Sequence, residues 1–125
     1  MLVVNIINNQ NFDLSDLYQN LVKEVPVSDN VIEYAVNFVL ETRPNHTSKK
    51  LIKDMLDWGA GPRASSYLIL GAKAKAILDD RTTPDIDDVK AMIKPVLRHR
   101  IIPNFNAETE GITKDSILDQ LISLL

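Results

Sequence analysis

An all-α bundle of about five or six helices is the fold class this sequence predicts. Three observations lead there. Apolar residues recur at helical spacing along nearly the whole chain, capping residues stand ahead of the apolar runs, and proline or glycine stands after several of them. The first run starts at Asp13, with Leu14, Leu17, Tyr18, Leu21, Val22 and Val25 on one stripe. Asp13 is its N-cap, Asp16 follows three residues on, and Phe12 faces Leu17 as a hydrophobic staple; Pro26 ends it.

Ser28 is the expected cap of a second helix over about 29–42, with Val27 and Ile32 as staple partners. Apolar residues cover much of its circumference, which predicts a position at the centre of the core. Arg43 to Lys50 reads as a loop because Pro44 disfavours helix at Arg43. A short helical piece over about 49–58 follows, broken by Gly59-Ala60-Gly61. Pro62 is suited to the first position of a helix running to about Asp80, whose Gly71, Ala72, Ala74 and Ala76 permit close approach of a neighbour. Asp85 caps the next helix, with Asp88 at the capping-box position and Pro95 as a kink or a stop. Arg98 to Gly111 reads as extended or irregular. The last helix begins at Thr113, staples Ile112 to Ile117, and is expected to bury Ile117, Leu118, Leu121, Ile122 and Leu125. Residues 1–11 read as a linker, a leader or a short extended segment, and residues 12–125 as one domain.

Composition narrows the function classes. Fourteen basic against seventeen acidic residues give a net charge of −3, which argues against a dedicated nucleic-acid binder. The chain has no cysteine, hence no thiolate nucleophile and no cysteine-based zinc site. No run approaches a membrane span and no signal-peptide pattern opens the chain, so the expected location is cytoplasmic. No GxxxxGK[ST], GxGxxG, HExxH or GxSxG motif is present. His46 and His99 lie far apart in sequence and neither has a His or carboxylate four residues on, so no metal site is expected. Asp79-Asp80 and Asp87-Asp88 flank a helix end and a helix start, where capping and solvation explain them better than acid–base chemistry.

Two segments carry more specific chemistry. In Gly59-Ala60-Gly61-Pro62-Arg63-Ala64-Ser65, two glycines form a tight entry, Pro62 sets the first turn, and Arg63 projects from a helix N-terminus. Free N–H groups and the positive dipole end favour phosphate there, and arginine adds a planar fork suited to phosphate oxygens. The bland alternative is a surface arginine after an ordinary Gly-Pro helix start. The second segment, Val96-Leu97-Arg98-His99-Arg100-Ile101, is either a solvated turn or a contact with an anion or a protein surface.

These two segments, with Asp87-Asp88-Val89-Lys90 between them and Glu108 to Thr113 after them, resemble the C-terminal lid of MoxR-type AAA+ ATPases. Val25-Pro26-Val27-Ser28-Asp29, Tyr34 and Thr42-Arg43-Pro44 resemble the first lid helices, so the resemblance covers about residues 12–125. Two departures stand out. Gly61 occupies a position where the family usually has serine, and the family's Thr-Pro falls on Asp85-Ile86, two residues from Thr83-Pro84.

The resemblance implies that Arg63 is the sensor 2 arginine, reaching the γ-phosphate of ATP held mainly by an upstream α/β domain, with Gly59, Gly61 and Pro62 as its supporting turn. It implies interdomain or intersubunit contacts for Arg98 and Arg100. ATP and Mg²⁺ would belong to the parent protein, because the phosphate loop, the Walker B carboxylate and the arginine finger lie outside these 125 residues. On this view the chain is an excised lid without ATPase activity of its own. Its partners would be its own upstream ATPase domain, further copies in a ring, and von Willebrand factor A-domain proteins served in a chaperone-like way, without nucleic acid or membrane. The competing expectation is a free-standing helical interaction module with an exposed apolar groove and no role for Arg63. A third, a DNA-binding bundle, would use Arg98 to Arg100 or Lys49, Lys50 and Lys53.

Overall fold

The computed structural model describes residues 22–125. The expected helix from Asp13 and the segment 1–11 lie outside the described residues, apart from the helical residues 22–24. The elements are α1 (Asp29–Glu41), α2 (Lys50–Met55), β1 (Leu56–Trp58), α3 (Arg63–Leu78), α4 (Ile86–Leu97), β2 (Ile102–Pro103), α5 (Phe105–Thr109) and α6 (Lys114–Leu124). The all-α expectation holds, with one small two-stranded sheet added.

The sheet and a short helix correct two readings. Residues 56–58 do not continue the short helix after Met55. They form an antiparallel strand, with Leu56 opposite Pro103 and Trp58 opposite Ile102 across an irregular register. The partner strand lies more than forty residues downstream, so no local pattern announces it. The irregular stretch after Arg98 also contains α5. Asn104 is its cap, accepting from the Ala107 amide at 3.0 Å. The same residue donates from its own amide to the Met55 carbonyl (2.8 Å) and from its side chain to the Asp54 carbonyl (2.6 Å), which ties α5 to the end of α2.

Helix α1 is less central than its composition suggests. Val31, Ala35, Phe38 and Val39 are buried, whereas Ile32 and Val36 are 37% and 38% exposed. Ser28 has the extended backbone of an N-cap, but its hydroxyl donates to the Asn30 side chain and caps no helix amide. Helix α3 packs most extensively on α4. Its small residues explain the closeness: a Cβ added at Gly71 would lie 2.9 Å from the Met92 side chain. Pro62 sits one position before α3, not at its first residue. Pro95 lies inside α4, which continues to Leu97. In α6, Ile117, Leu118 and Leu121 are buried as expected; Ile122 is half-buried and Leu125 is 41% exposed, contrary to the expected burial. Among the described residues no helix is long and apolar enough to cross a membrane.

Candidate functional site

The Gly59–Gly61 turn is held against the end of α1. The Thr42 hydroxyl, fully buried, donates to the Val39 carbonyl (2.6 Å) and accepts from the Ala60 amide (3.0 Å). Gly59 passes so close to this end that an added Cβ would collide with the Thr42 carbonyl and lie 2.7 Å from the Arg43 Cα. Glycine is required here by backbone contact. Gly61 is different: an added Cβ would meet nothing within 4 Å, and the positive-φ glycine among the described residues is Gly111. The departure from serine at Gly61 is therefore sterically neutral.

This docking forms a cleft of about 340 Å³ between the α1–α2 loop (Arg43, Pro44, Asn45, His46) and the β1–α3 turn (Asp57 to Gly61). Trp58, 67% exposed, stands on its wall. Arg63 opens α3 two residues beyond Gly61 and is exposed. The turn beneath it is knit by Ala64 N to Gly61 O at 3.0 Å and by the Ser65 hydroxyl to Pro62 O at 2.7 Å. Among the described residues Arg63 makes no side-chain hydrogen bond and no ion pair, and the first turn of α3 carries no acidic residue. A cation thus stands at a helix start, against the dipole and without a carboxylate to compensate it. That placement stabilises nothing within the fold but suits a phosphate brought from outside.

Arg98 and Arg100 are not gathered at this cleft. Arg98 forms a two-point pair with Asp115, Nε to Oδ1 and one terminal nitrogen to Oδ2, both at 3.0 Å, linking the end of α4 to the start of α6. Arg100 donates to the Val96 carbonyl at 2.8 Å and lies over the Tyr67 ring, 4.7 Å from its centroid. Both therefore have partners within the chain. Arg98 and His99 line an open depression together with Thr113, Lys114 and Asp115.

Sequence reasoning missed Arg81. Helix α3 ends in a left-handed Asp80 (φ 58°), and the Arg81 amide reaches back to the Ala76 carbonyl at 2.8 Å. This turn aims Arg81 at Asp88, with both terminal nitrogens 2.6 Å from its two carboxylate oxygens. Asp88 is buried and also completes the capping box: Asp85 N donates to it at 2.8 Å, and its own amide donates to Asp85 at 3.1 Å. The Arg81 hydrogen bonds hold the Asp88 carboxyl at a pKa of about 2, against the opposing push of burial. Asp79, bonded to Arg81 and Lys75, is also lowered. Asp88 is thus a structural anion as well as a cap. Arg43, His46 and Trp58 were missed as cleft residues too; the signal that reaches them is the Thr42–Ala60 bond, a contact eighteen residues apart.

A compact helical bundle with a small sheet and a glycine-braced turn presenting a free arginine is the architecture of a helical lid, and comparison with known proteins says whose. Residues 48–121 match the family model of the AAA lid domain, and the chain belongs to that family. It is a lid of MoxR type. The chain is 29% identical over 93 residues to chaperone MoxR1 of Mycobacterium tuberculosis, covering 74% of this chain and 25% of that protein. It is 32% identical over 105 residues to the uncharacterized protein YeaC of Bacillus subtilis, covering 84% of this chain and 30% of that protein. A solved structure of a candidate ATPase from Cytophaga hutchinsonii superposes with a TM-score of 0.80 at 28% identity, covering 95% of this chain and 39% of that one. The chain thus spans between a quarter and two fifths of the length of these relatives.

Proposed function

We propose that the chain serves as the C-terminal lid of a MoxR-type AAA+ ATPase and that Arg63 acts as its sensor 2 residue, contacting the γ-phosphate of ATP held by an α/β domain. One observation carries the reading: Arg63 is the arginine at the start of α3, exposed and without a partner among the described residues, on a turn braced against α1 by Thr42 and Gly59. A permanently charged fork held on a rigid turn supplies charge where phosphate oxygens develop it, a positioning and electrostatic role. Rotation of the bundle would then follow nucleotide state, because the turn is fixed to α1 and α3 together. Mg²⁺ would be held with the ATP by that α/β domain. Chaperone-like remodelling, ring assembly and service to von Willebrand factor A-domain proteins belong to the same proposal; the MoxR1 relative is itself a chaperone.

Reading the genomic frame upstream of Met1 tests this directly. A GxxxxGK[ST] loop and an acidic Walker B strand within about 200 residues, one α/β domain's length, are expected. A stop codon or an unrelated domain there contradicts the proposal.

A further inference from the structure

We propose that Thr42 is the positioning residue of Arg63: through its hydroxyl the end of α1 sets where the arginine stands, so that ATP turnover depends on a buried threonine that touches no nucleotide. The inference rests on the reading of Arg63 given above.

The turn that carries Arg63 is an arc pinned at two buried alanines. Ala60 and Ala64 belong to the core, whereas Gly61, Pro62 and Arg63 between them are exposed. Helix α3 itself holds the downstream leg, through the Ala64 amide on the Gly61 carbonyl and the Ser65 amide on the Pro62 carbonyl at 3.3 Å. The upstream leg, residues 59–61, has no helix to hold it. Among the described residues its one side-chain hydrogen bond runs from the Ala60 amide to the Thr42 hydroxyl. Gly61 adds no packing of its own, since even an added Cβ would meet nothing within 4 Å.

The hydroxyl is committed at both ends. It gives its proton to the Val39 carbonyl, three residues back, and this aims its lone pairs at the Ala60 amide. Valine has nearly the shape of threonine but neither donor nor acceptor, and would leave that amide buried without a partner. The amide regains a partner by moving, and a shift of this leg swings the arc on which Arg63 stands. A misplacement of about 1 Å is enough to cost an order of magnitude in rate. Thr47 supplies the contrast. It is buried too, donating to Glu41 at 2.6 Å and accepting from the Lys49 amide at 3.0 Å, but neither partner belongs to the turn.

ATP turnover is compared in the polypeptide that carries this lid with its α/β domain, for Thr42→Val, Thr42→Ser, Thr47→Val, Arg63→Ala, and Thr42→Val combined with Arg63→Ala. Thr42→Val is expected to lower kcat about three- to tenfold and Thr42→Ser to stay within about twofold of the unaltered protein. Thr47→Val should leave kcat unchanged while lowering the melting temperature. Beside Arg63→Ala, Thr42→Val should add nothing, because it acts through the arginine alone. If Thr42→Val does not fold, Gly59→Ala takes its place, since it pushes the same leg away from Thr42; the same loss is expected, again absent beside Arg63→Ala. Full turnover in Thr42→Val with a loss in Arg63→Ala overturns the inference and leaves the reading of Arg63 standing. A matching loss in Thr47→Val, or a further loss in the combined variant, overturns it in favour of a structural role. Unchanged turnover in Arg63→Ala removes that reading and the inference with it.

Discussion

Arg63 and Arg81 bracket the same helix, and the fold treats them oppositely. Arg81 follows the C-terminus of α3, where the dipole favours a cation, and both of its terminal nitrogens meet the buried Asp88. Arg63 opens the N-terminus, where the dipole opposes a cation, and among the described residues no carboxylate answers it. One arginine belongs to the stability of the bundle. The other has no partner among the described residues, and the proposal gives it a ligand from outside the bundle. Electrostatic satisfaction separates them, whereas residue type and exposure on the page of sequence do not.

The largest effect expected on that contrast is at the satisfied end. Asp88→Ala removes the partner of Arg81 and the half of the capping box that accepts from the Asp85 amide, and should lower the unfolding free energy by about 2–3 kcal/mol in chemical denaturation. Acid probes the same residue. The Asp88 pKa is about 2 in the fold against 3.8 for the free group, so its contribution is present above about pH 4 and is lost as pH falls through about 2. The gap corresponds to about 2 kcal/mol. Asp88→Asn should flatten this part of the stability–pH curve, and an unchanged curve would show that other carboxylates dominate.

At the Arg63 end the turn can be tested without touching the arginine. Gly59→Ala drives a methyl into the Thr42 backbone and should cost about 1–2 kcal/mol. Gly61→Ala meets open space and should be neutral or stabilising by about 0.5 kcal/mol. A matched loss from both would mean that the turn needs two glycines and would blunt the distinction drawn between them. Arg98→Ala breaks a half-exposed pair with Asp115 and should cost about 0.5–1 kcal/mol in thermal melting. The smallest effect belongs to Arg63→Ala, expected within about 0.5 kcal/mol of the unaltered chain. A loss of several degrees in melting temperature would give Arg63 a structural role.

Much of this was legible in sequence where the signals are local. The Asp85–Asp88 capping box, the Thr113 cap, the Gly-Ala-Gly break and the small-residue face of α3 all arise from neighbours within a few residues. Apart from the Ser28 cap and the burial of Leu125, what failed was long-range. Leu56–Trp58 become a strand because Ile102–Pro103 lie beside them, and Asn104 caps α5 while reaching Asp54 fifty residues away. The exposure of Ile32 and Val36 reflects which neighbours α1 meets, which periodicity alone does not specify. The candidate site shows the same division. Arg63 is readable from a glycine–proline helix start, whereas Arg43 and Trp58 line the neighbouring cleft through the tertiary contact of Thr42 with the Gly59–Ala60 turn.

The central claim is that Arg63 answers to nucleotide. It is tested most directly by ATP turnover in a polypeptide that carries this lid together with its α/β domain, comparing the unaltered protein with Arg63→Ala and, as a control, Arg98→Ala. Arg63→Ala should lower kcat by about tenfold or more while the protein remains folded, with Arg98→Ala near the unaltered rate. Unchanged turnover in Arg63→Ala, or an equal loss in both variants, would contradict the assignment.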